Sequence, residues 1–339
     1  MRPSAITKAL NYLVECKQPV MLHGQPGAGK SQVVHQVAKQ RGIDMIDLRL
    51  SQLDPVDLRG VPSVKNNQTT WNAPDFLPTK GAGILFLDEI NSAAQATQAA
   101  AYQLVLDRRL GDYVLPEGWA MVAAGNRATD RAIVNQMSSA LKNRLVHLDF
   151  EVNLEDWCQW ALTSNIATEV LSFIRFRPTL LNEFEPRGDS KDEQKRQAQL
   201  KDAKAFATPR SWEFMSKIVH QRPDPEVEFE LYKGTVGEGC AAEFMGYLKY
   251  YRDLPNLDGI LLNPGSAPVP TQPATLYALS TGLAAKATED NMDRVVKYAL
   301  RMPAEFQVLL VKDSVARDQK ILNTKAFSEW AIKNGDVML

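Results

Sequence analysis

The sequence predicts an α/β fold, a parallel sheet held between helices, followed by a largely helical remainder. Three observations lead there. Gly24-Gln-Pro-Gly-Ala-Gly-Lys30-Ser31 is a glycine-rich loop between a short apolar strand candidate, Pro19–His23, and a helix candidate, Ser31–Gln40. Gly83-Ile-Leu-Phe-Leu-Asp88-Glu89 is an apolar run closed by two acids, the pattern of a buried parallel strand whose carboxyl end faces a ligand. From Asn153 the pattern turns helical, with Trp157, Trp160, Ala161, Val170, Leu171 and Ile174 as candidate core.

The loop matches G-x-x-x-x-G-K-[ST] at every fixed position. Its glycines let the backbone aim N–H groups at the β- and γ-phosphates of a nucleotide, and the helix that follows presents its positive end to them. Gly24, Gln25, Pro26, Gly27, Ala28, Gly29, Lys30, Ser31 and the next residue, Gln32, are therefore the candidate nucleotide-binding residues. Lys30 supplies a positive charge, and the Ser31 hydroxyl is suited to Mg²⁺. Asp88, some sixty residues further on, is placed to hold Mg²⁺ through water, and Glu89 to orient and polarise the attacking water. Trp119-Ala-Met-Val-Ala-Ala124 reads as another buried strand that delivers Asn126 to the same edge of the sheet. An amide there can hydrogen-bond the γ-phosphate or the lytic water.

The remaining elements follow in order. Ile6–Cys16 carries apolar residues at i, i+3, i+4 spacing and predicts an opening helix, and Ile43–Leu50 predicts a strand. Val61–Val64 and Thr69–Trp71 flank a polar tip, Lys65–Gln68, as a hairpin would, and Arg109–Leu115 with Pro116-Glu-Gly118 suggests a second hairpin. Asn91–Asp107 reads as helix. Ser138–Arg144 leads into a strand, Val146–Phe150, that closes a first domain, residues 1–150. Residues 151–255 read as a helical domain. Within it, Arg187–Lys204 has ten charged residues in eighteen and no aromatics, which predicts a solvated or mobile insertion. Thr208 is the expected N-cap of a helix with Pro209 in its first turn, and Phe244–Tyr251 an aromatic-rich helix. Residues 256–339 open on Asn263–Pro273, with four prolines in eleven residues, and continue as two or three helices: 276–288, 292–301 and 327–333.

Composition narrows the setting. The 339 residues carry a net charge of −1, which leaves no overall electrostatic footprint for nucleic acid or acidic membranes. Cys16, Cys158 and Cys240 are too far apart for a disulfide framework or a metal cluster, and the histidines His23, His35, His147 and His220 are as scattered. Structural or surface roles are expected for them. No apolar run approaches the length of a membrane span, and no signal core is apparent, so the expectation is a cytoplasmic protein with no membrane partner.

Taken together, these residues resemble the AAA+ ATPases, and among them the MoxR group. The loop Gly24–Ser31, the acids Asp88-Glu89 followed by Ile90-Asn91, Asn126, and the Leu-Lys-Asn-Arg144 segment fall in AAA+ order and spacing. The resemblance implies a nucleotide-binding core, a helical lid and a helical C-terminal extension, with ATP and Mg²⁺ as cofactors. It implies sensor 1 for Asn126, an arginine finger acting on the neighbouring subunit for Arg144, and the lid's sensor 2 for Arg210 in Thr208-Pro-Arg210. The family usually writes an acid immediately before the finger; Asn143 stands there, and Arg127 and Arg131 lie close enough to share the role. The two hairpins are placed like the MoxR helix-2 and pre-sensor 1 inserts. The implied function is a homo-oligomeric, hexameric ATPase that remodels or activates a protein complex beside a partner carrying a von Willebrand factor A domain. The alternative is a nucleic-acid motor, or a nucleotide-dependent subunit of a restriction or phage system. A translocase wants Lys and Arg at its hairpin tips, and a single Lys65 amid amides argues against nucleic acid.

Overall fold

The apolar runs form strands, and the strands form one parallel sheet. The structure is a computed structural model and describes residues 1–127, 137, 139–184 and 190–334. These divide into two units, Met1–Asn153 and Leu154–Leu339. In the first unit the order along the chain is α1 (Pro3–Glu15), β1 (Val20–His23), α2 (Lys30–Arg41), β2 (Asp44–Arg49), α3 (Pro55–Arg59), β3 (Val61–Lys65), β4 (Gln68–Asn72), β5 (Gly83–Asp88), α4 (Gln95–Asp107), β6 (Arg109–Leu110), β7 (Tyr113–Val114), β8 (Trp119–Gly125), α5 (Ser139–Lys142) and β9 (Val146–Asp149).

The main sheet has the order β2-β5-β8-β1-β9, and every pairing in it is parallel. Central strands of such a sheet are covered on both faces, which is why β5 and β8 are apolar and buried along their whole length. Side chains alternate between the faces. Ile84 and Phe86 join Ile6, Leu10, Val34 and Val37 under α1 and α2, whereas Leu85 and Leu87 join Ala101, Leu104 and Met121 on the side of α4. Because all five strands run the same way, their carboxyl ends share one edge. Both hairpins form separately from this sheet: β3 pairs antiparallel with β4, and β6 with β7. The Trp71 N–H donates to Asp112 at 3.1 Å, joining the strand of one hairpin to the turn of the other.

The second unit is helical: α6 (Leu154–Thr163), α7 (Thr168–Phe176), α8 (Lys191–Asp202), α9 (Pro209–His220), α10 (Pro225–Val236), α11 (Glu238–Arg252), α12 (Leu257–Leu262), α13 (Pro273–Lys286), α14 (Met292–Ala299), α15 (Ala304–Arg317) and α16 (Lys325–Lys333). Phe173, Trp212, Phe244 and Tyr247 pack ring against ring in it, Phe244 edge-on to both Phe173 and Trp212. The residues beyond 255 belong to the same unit as those before, since α13 packs on both α7 and α15. Thr208 caps α9 in a reciprocal box with Ser211.

Two segments differ from expectation. The charged stretch is not simply a solvated or mobile insertion: Lys191–Asp202 is a helix, capped by the Ser190 hydroxyl. Its Glu193 is buried and paired with Arg196, which also donates to the Glu183 carbonyl. The long α15 was not anticipated between two shorter helices. It carries a buried acid, Asp313, that interrupts the apolar spacing and is neutralised by Arg175 of α7. That pair is bidentate, with Arg175 Nη2 at 2.7 Å from Asp313 Oδ1, and its side chains are only 10% and 4% exposed. Removing one partner strands a buried charge, so Asp313→Ala should lower stability by about 3–5 kcal/mol, whereas the double change Arg175→Met, Asp313→Leu should cost much less. Denaturant unfolding of the two variants beside the native chain measures the difference.

Candidate nucleotide site

The glycine-rich loop bridges β1 and α2 at the carboxyl edge. Gly29 is the N-cap of α2 with φ of 103°, a left-handed conformation that L side chains rarely adopt. The first N–H groups of a helix have no carbonyl partner within it and carry the positive end of its dipole, here at the start of α2. Lys30 is buried, and its ammonium donates to the carbonyls of Gly24 at 2.6 Å and Gln25 at 2.9 Å. The loop thus keeps a cation at its centre. Gly24 and Ala28 are buried, Gln25, Pro26, Gly27 and Gly29 half-buried, and Gln32 exposed on the next turn.

Ser31 and Asp88 meet although 57 residues separate them. The Ser31 hydroxyl donates to Asp88 Oδ2 at 3.1 Å, joining the start of α2 to the end of β5. A hydroxyl and a carboxylate in contact are a hard oxygen donor set, as Mg²⁺ prefers. Asp47 of β2 adds to the negative field: burial, and then the nearby charge of Asp88, push its carboxyl above the ordinary range. Gathered acids of this kind are relieved by a cation. The loop and the acids therefore fit a magnesium–nucleotide on their own geometry.

Glu89 leaves the strand with φ of 56°, a positive angle unusual for a residue with a side chain. Its N–H donates to Asp88 Oδ1 at 2.9 Å, so the two neighbouring acids turn apart while one steadies the other's backbone. The Glu89 carboxylate accepts a hydrogen bond from Ser51, just beyond β2. The sequence reading did not find Ser51. The available signal was its place after a parallel strand, on the edge where ligands sit.

Asn126 follows β8 and is fixed by a second asparagine. Asn91, only 2% exposed, donates through Nδ2 to the Asn126 carbonyl at 2.6 Å and accepts the Asn126 N–H at 3.2 Å. This reciprocal pair sets the backbone from which the Asn126 side chain departs. Gly125 makes room for it, because a Cβ there would lie 2.2 Å from Asn91 Oδ1. The sequence singled out Asn126 and noted Asn91 only as a follower of the acids.

The arginines separate. Arg144 is exposed between α5 and β9, and its side chain makes no ion pair among the described residues. Arg127, considered as a sharer of the finger role, is committed within its own chain: it donates to the Phe150 carbonyl at 2.9 Å and pairs with Asp149 at 3.4 Å. Arg131 lies outside the described residues. Arg210 stands exposed in the first turn of α9, in the second unit.

Residues 20–150 match the family model of the ATPase family associated with various cellular activities (AAA), so the first unit carries an AAA ATPase family domain. A curated relative, midasin of Giardia intestinalis, is 27% identical over 188 residues, covering 50% of this chain and 4% of that protein. The chain thus spans a small fraction of that relative's length. Among solved structures, NtrX from Brucella abortus in complex with ADP is 13% identical, over 99% of this chain and 68% of that one, with a TM-score of 0.40. The RuvB Holliday junction branch migration motor of Thermotoga maritima is 18% identical, over 88% and 87%, with a TM-score of 0.37. No helix among the described residues is long and apolar enough to cross a membrane.

Losing the Asn91 clamp should leave the phosphate loop intact while misdirecting Asn126. Asn91→Ala is expected to lower ATP turnover by about 10²-fold, the scale of one misplaced oriented donor, with ATP affinity unchanged. Gly125→Ala should do the same by pushing Asn91 aside. Titrating nucleotide binding and steady-state hydrolysis in parallel separates the two effects.

Proposed function

We propose that the chain is an ATP-hydrolysing AAA+ ring ATPase of the MoxR group, a hexamer in the cytoplasm that remodels or activates a protein complex. Its partner in this reading carries a von Willebrand factor A domain. The observation that carries the reading is the Ser31–Asp88 hydrogen bond with Glu89 one residue further on. It joins a complete phosphate loop, a metal-ligand pair and a candidate general base at one sheet edge.

Bound ATP and Mg²⁺ supply the phosphoanhydride and a charge-neutralising cation. The residues divide the remaining work. The loop's backbone N–H groups after Pro26, which has none of its own, and the Lys30 ammonium would hold the β- and γ-phosphates; the Gly24 N–H already donates to the Gly125 carbonyl. Ser31 and Asp88 are the residues that would hold Mg²⁺, whose charge would offset that of the phosphates. Glu89 would draw the proton of the attacking water, and Asn126 would orient that water or hydrogen-bond the γ-phosphate. Arg144 reaches the next subunit's nucleotide, where a finger is worth about 10³ to 10⁵ in rate. Arg210, in the first turn of α9, is assigned the sensor 2 role.

The hairpins favour a protein substrate over the alternative, a nucleic-acid motor or a nucleotide-dependent subunit of a restriction or phage system. Val61, Val64, Trp71 and Val114 are exposed on them, Val64 by 79%. Exposed apolar side chains suit contact with protein, whereas a phosphodiester backbone asks for Lys and Arg. In a ring the coupled hairpins would face the pore.

Glu89→Gln tests the core of the reading. An amide can still orient water but takes no proton, so turnover should fall at least about 10²-fold while ATP still binds. The trapped ATP should hold the ring together, giving a particle several times the monomer mass by light scattering. Residual turnover near that of the native chain, or a monomer with ATP bound, contradicts it.

A further inference from the structure

Two histidines that the sequence leaves scattered meet beside the phosphate loop. His23 is the last residue of β1, immediately before Gly24, and His147 lies on the neighbouring strand β9. Their rings stack, with centroids 5.1 Å apart and planes inclined by 20°. His23 Nε2 lies 2.9 Å from His147 Nδ1, and His147 Nε2 lies 2.8 Å from the Lys142 carbonyl oxygen. A carbonyl only accepts, so His147 Nε2 carries the proton and donates. In neutral His147 the bare Nδ1 then accepts from His23 Nε2–H.

The result is a continuous chain of bonds. It runs from the root of the phosphate loop through His23 and His147 to Lys142, two residues before Arg144. Gln18, just ahead of β1, adds a second hold by donating from Nε2 to the Arg144 carbonyl at 3.2 Å. The exposed arginine therefore projects from a backbone pinned at two points to the strand that feeds the phosphate loop.

We propose that His147 is a positioning residue that ties the Arg144 segment, through His23, to the phosphate loop of the same subunit. The finger offered to one neighbour is thereby linked to the nucleotide held here. The proposal rests on Arg144 being the finger, as proposed above.

The tie is sensitive to protons. The charged groups around His23 are Asp149 of β9, which favours protonation, and Arg127 beyond β8 and Lys30 of α2, which oppose it. Burial first, and then His147, hold the His23 imidazole below its ordinary value. The released state therefore binds more protons than the tied state. By linkage the tie is complete above about pH 6.5 and weakens as pH falls below it.

The test compares native chain, His147→Phe, His23→Gln and Arg144→Ala, following ATP turnover, KM and hydrogen exchange over residues 142–147. His147→Phe keeps a ring to stack but loses both bonds. At pH 8 it should exchange faster in that segment and lose about 10- to 100-fold in kcat, the cost of a misplaced group, with KM within about twofold. His23→Gln keeps a donor at the Nε2 position and should stay near native. The gap between native and His147→Phe should narrow below about pH 6.5, as the native tie opens. Native exchange in His147→Phe overturns the tie, and faster exchange with native kcat, while Arg144→Ala is inactive, overturns the positioning role. Faster exchange with Arg144→Ala fully active leaves the tie standing and removes the finger reading instead. Should His147→Phe not fold, His23→Leu removes the same bond from the other side and is held to the same exchange criterion.

Discussion

The hydrogen bond from Ser31 to Asp88 is the contact on which the rest of the site depends. It joins residues 57 apart in the chain at 3.1 Å, and it exists because β1 and β5 run parallel with β8 between them. Parallel strands have to be covered on both faces. That need accounts for the buried β5 and β8, for α1 and α2 on one side and for α4 on the other. With the faces closed, the carboxyl edge is where polar side chains can gather without burying unpaired charge. Loop, acids and Asn126 all leave the sheet there.

A second layer of polar groups turns this gathering into a defined geometry. Ser51 holds the Glu89 carboxylate, Asp88 holds the Glu89 amide, and Asn91 locks the backbone of Asn126. Each acts through a short polar side chain, and Asp88 serves both the Ser31 hydroxyl and the Glu89 N–H. Gly125 belongs here too, since only the absence of a side chain lets Asn91 approach. Groups of this kind keep a site preorganised. The histidine pair carries the same logic outward, toward Arg144.

Much of this was legible in the chain. The phosphate loop, the strand ending in Asp88-Glu89 and the position of Asn126 are local patterns, and so are the hairpins, the first marked by its polar tip and the second by Arg109–Leu115 with Pro116-Glu-Gly118. What the sequence concealed is non-local. Ser51 meets Glu89 across 38 residues, Asn91 meets Asn126 across 35 and His23 meets His147 across 124. Spacing along one element carries no trace of such pairs. Arg127 looked available for the neighbouring subunit until its bonds to Phe150 and Asp149 were seen. The charged stretch misled for another reason: composition reports solvation, whereas Glu193 and Arg196 pair and let a helix form. In α15 the buried Asp313 broke the apolar spacing, and only its partner on α7 explains it.

The function proposed for the chain turns on a composite active site, with the phosphate loop from one subunit and Arg144 from the next. Mixing two inactive variants tests it most directly. Lys30→Ala subunits lack the loop's cation but keep their arginine, and Arg144→Ala subunits keep the loop but lack the proposed finger. Each alone should be nearly inactive. In mixed rings some Arg144→Ala sites gain a neighbour with an intact Arg144, so ATP hydrolysis should return in proportion to such pairings. Mixed rings that demonstrably form yet hydrolyse no ATP would contradict the account.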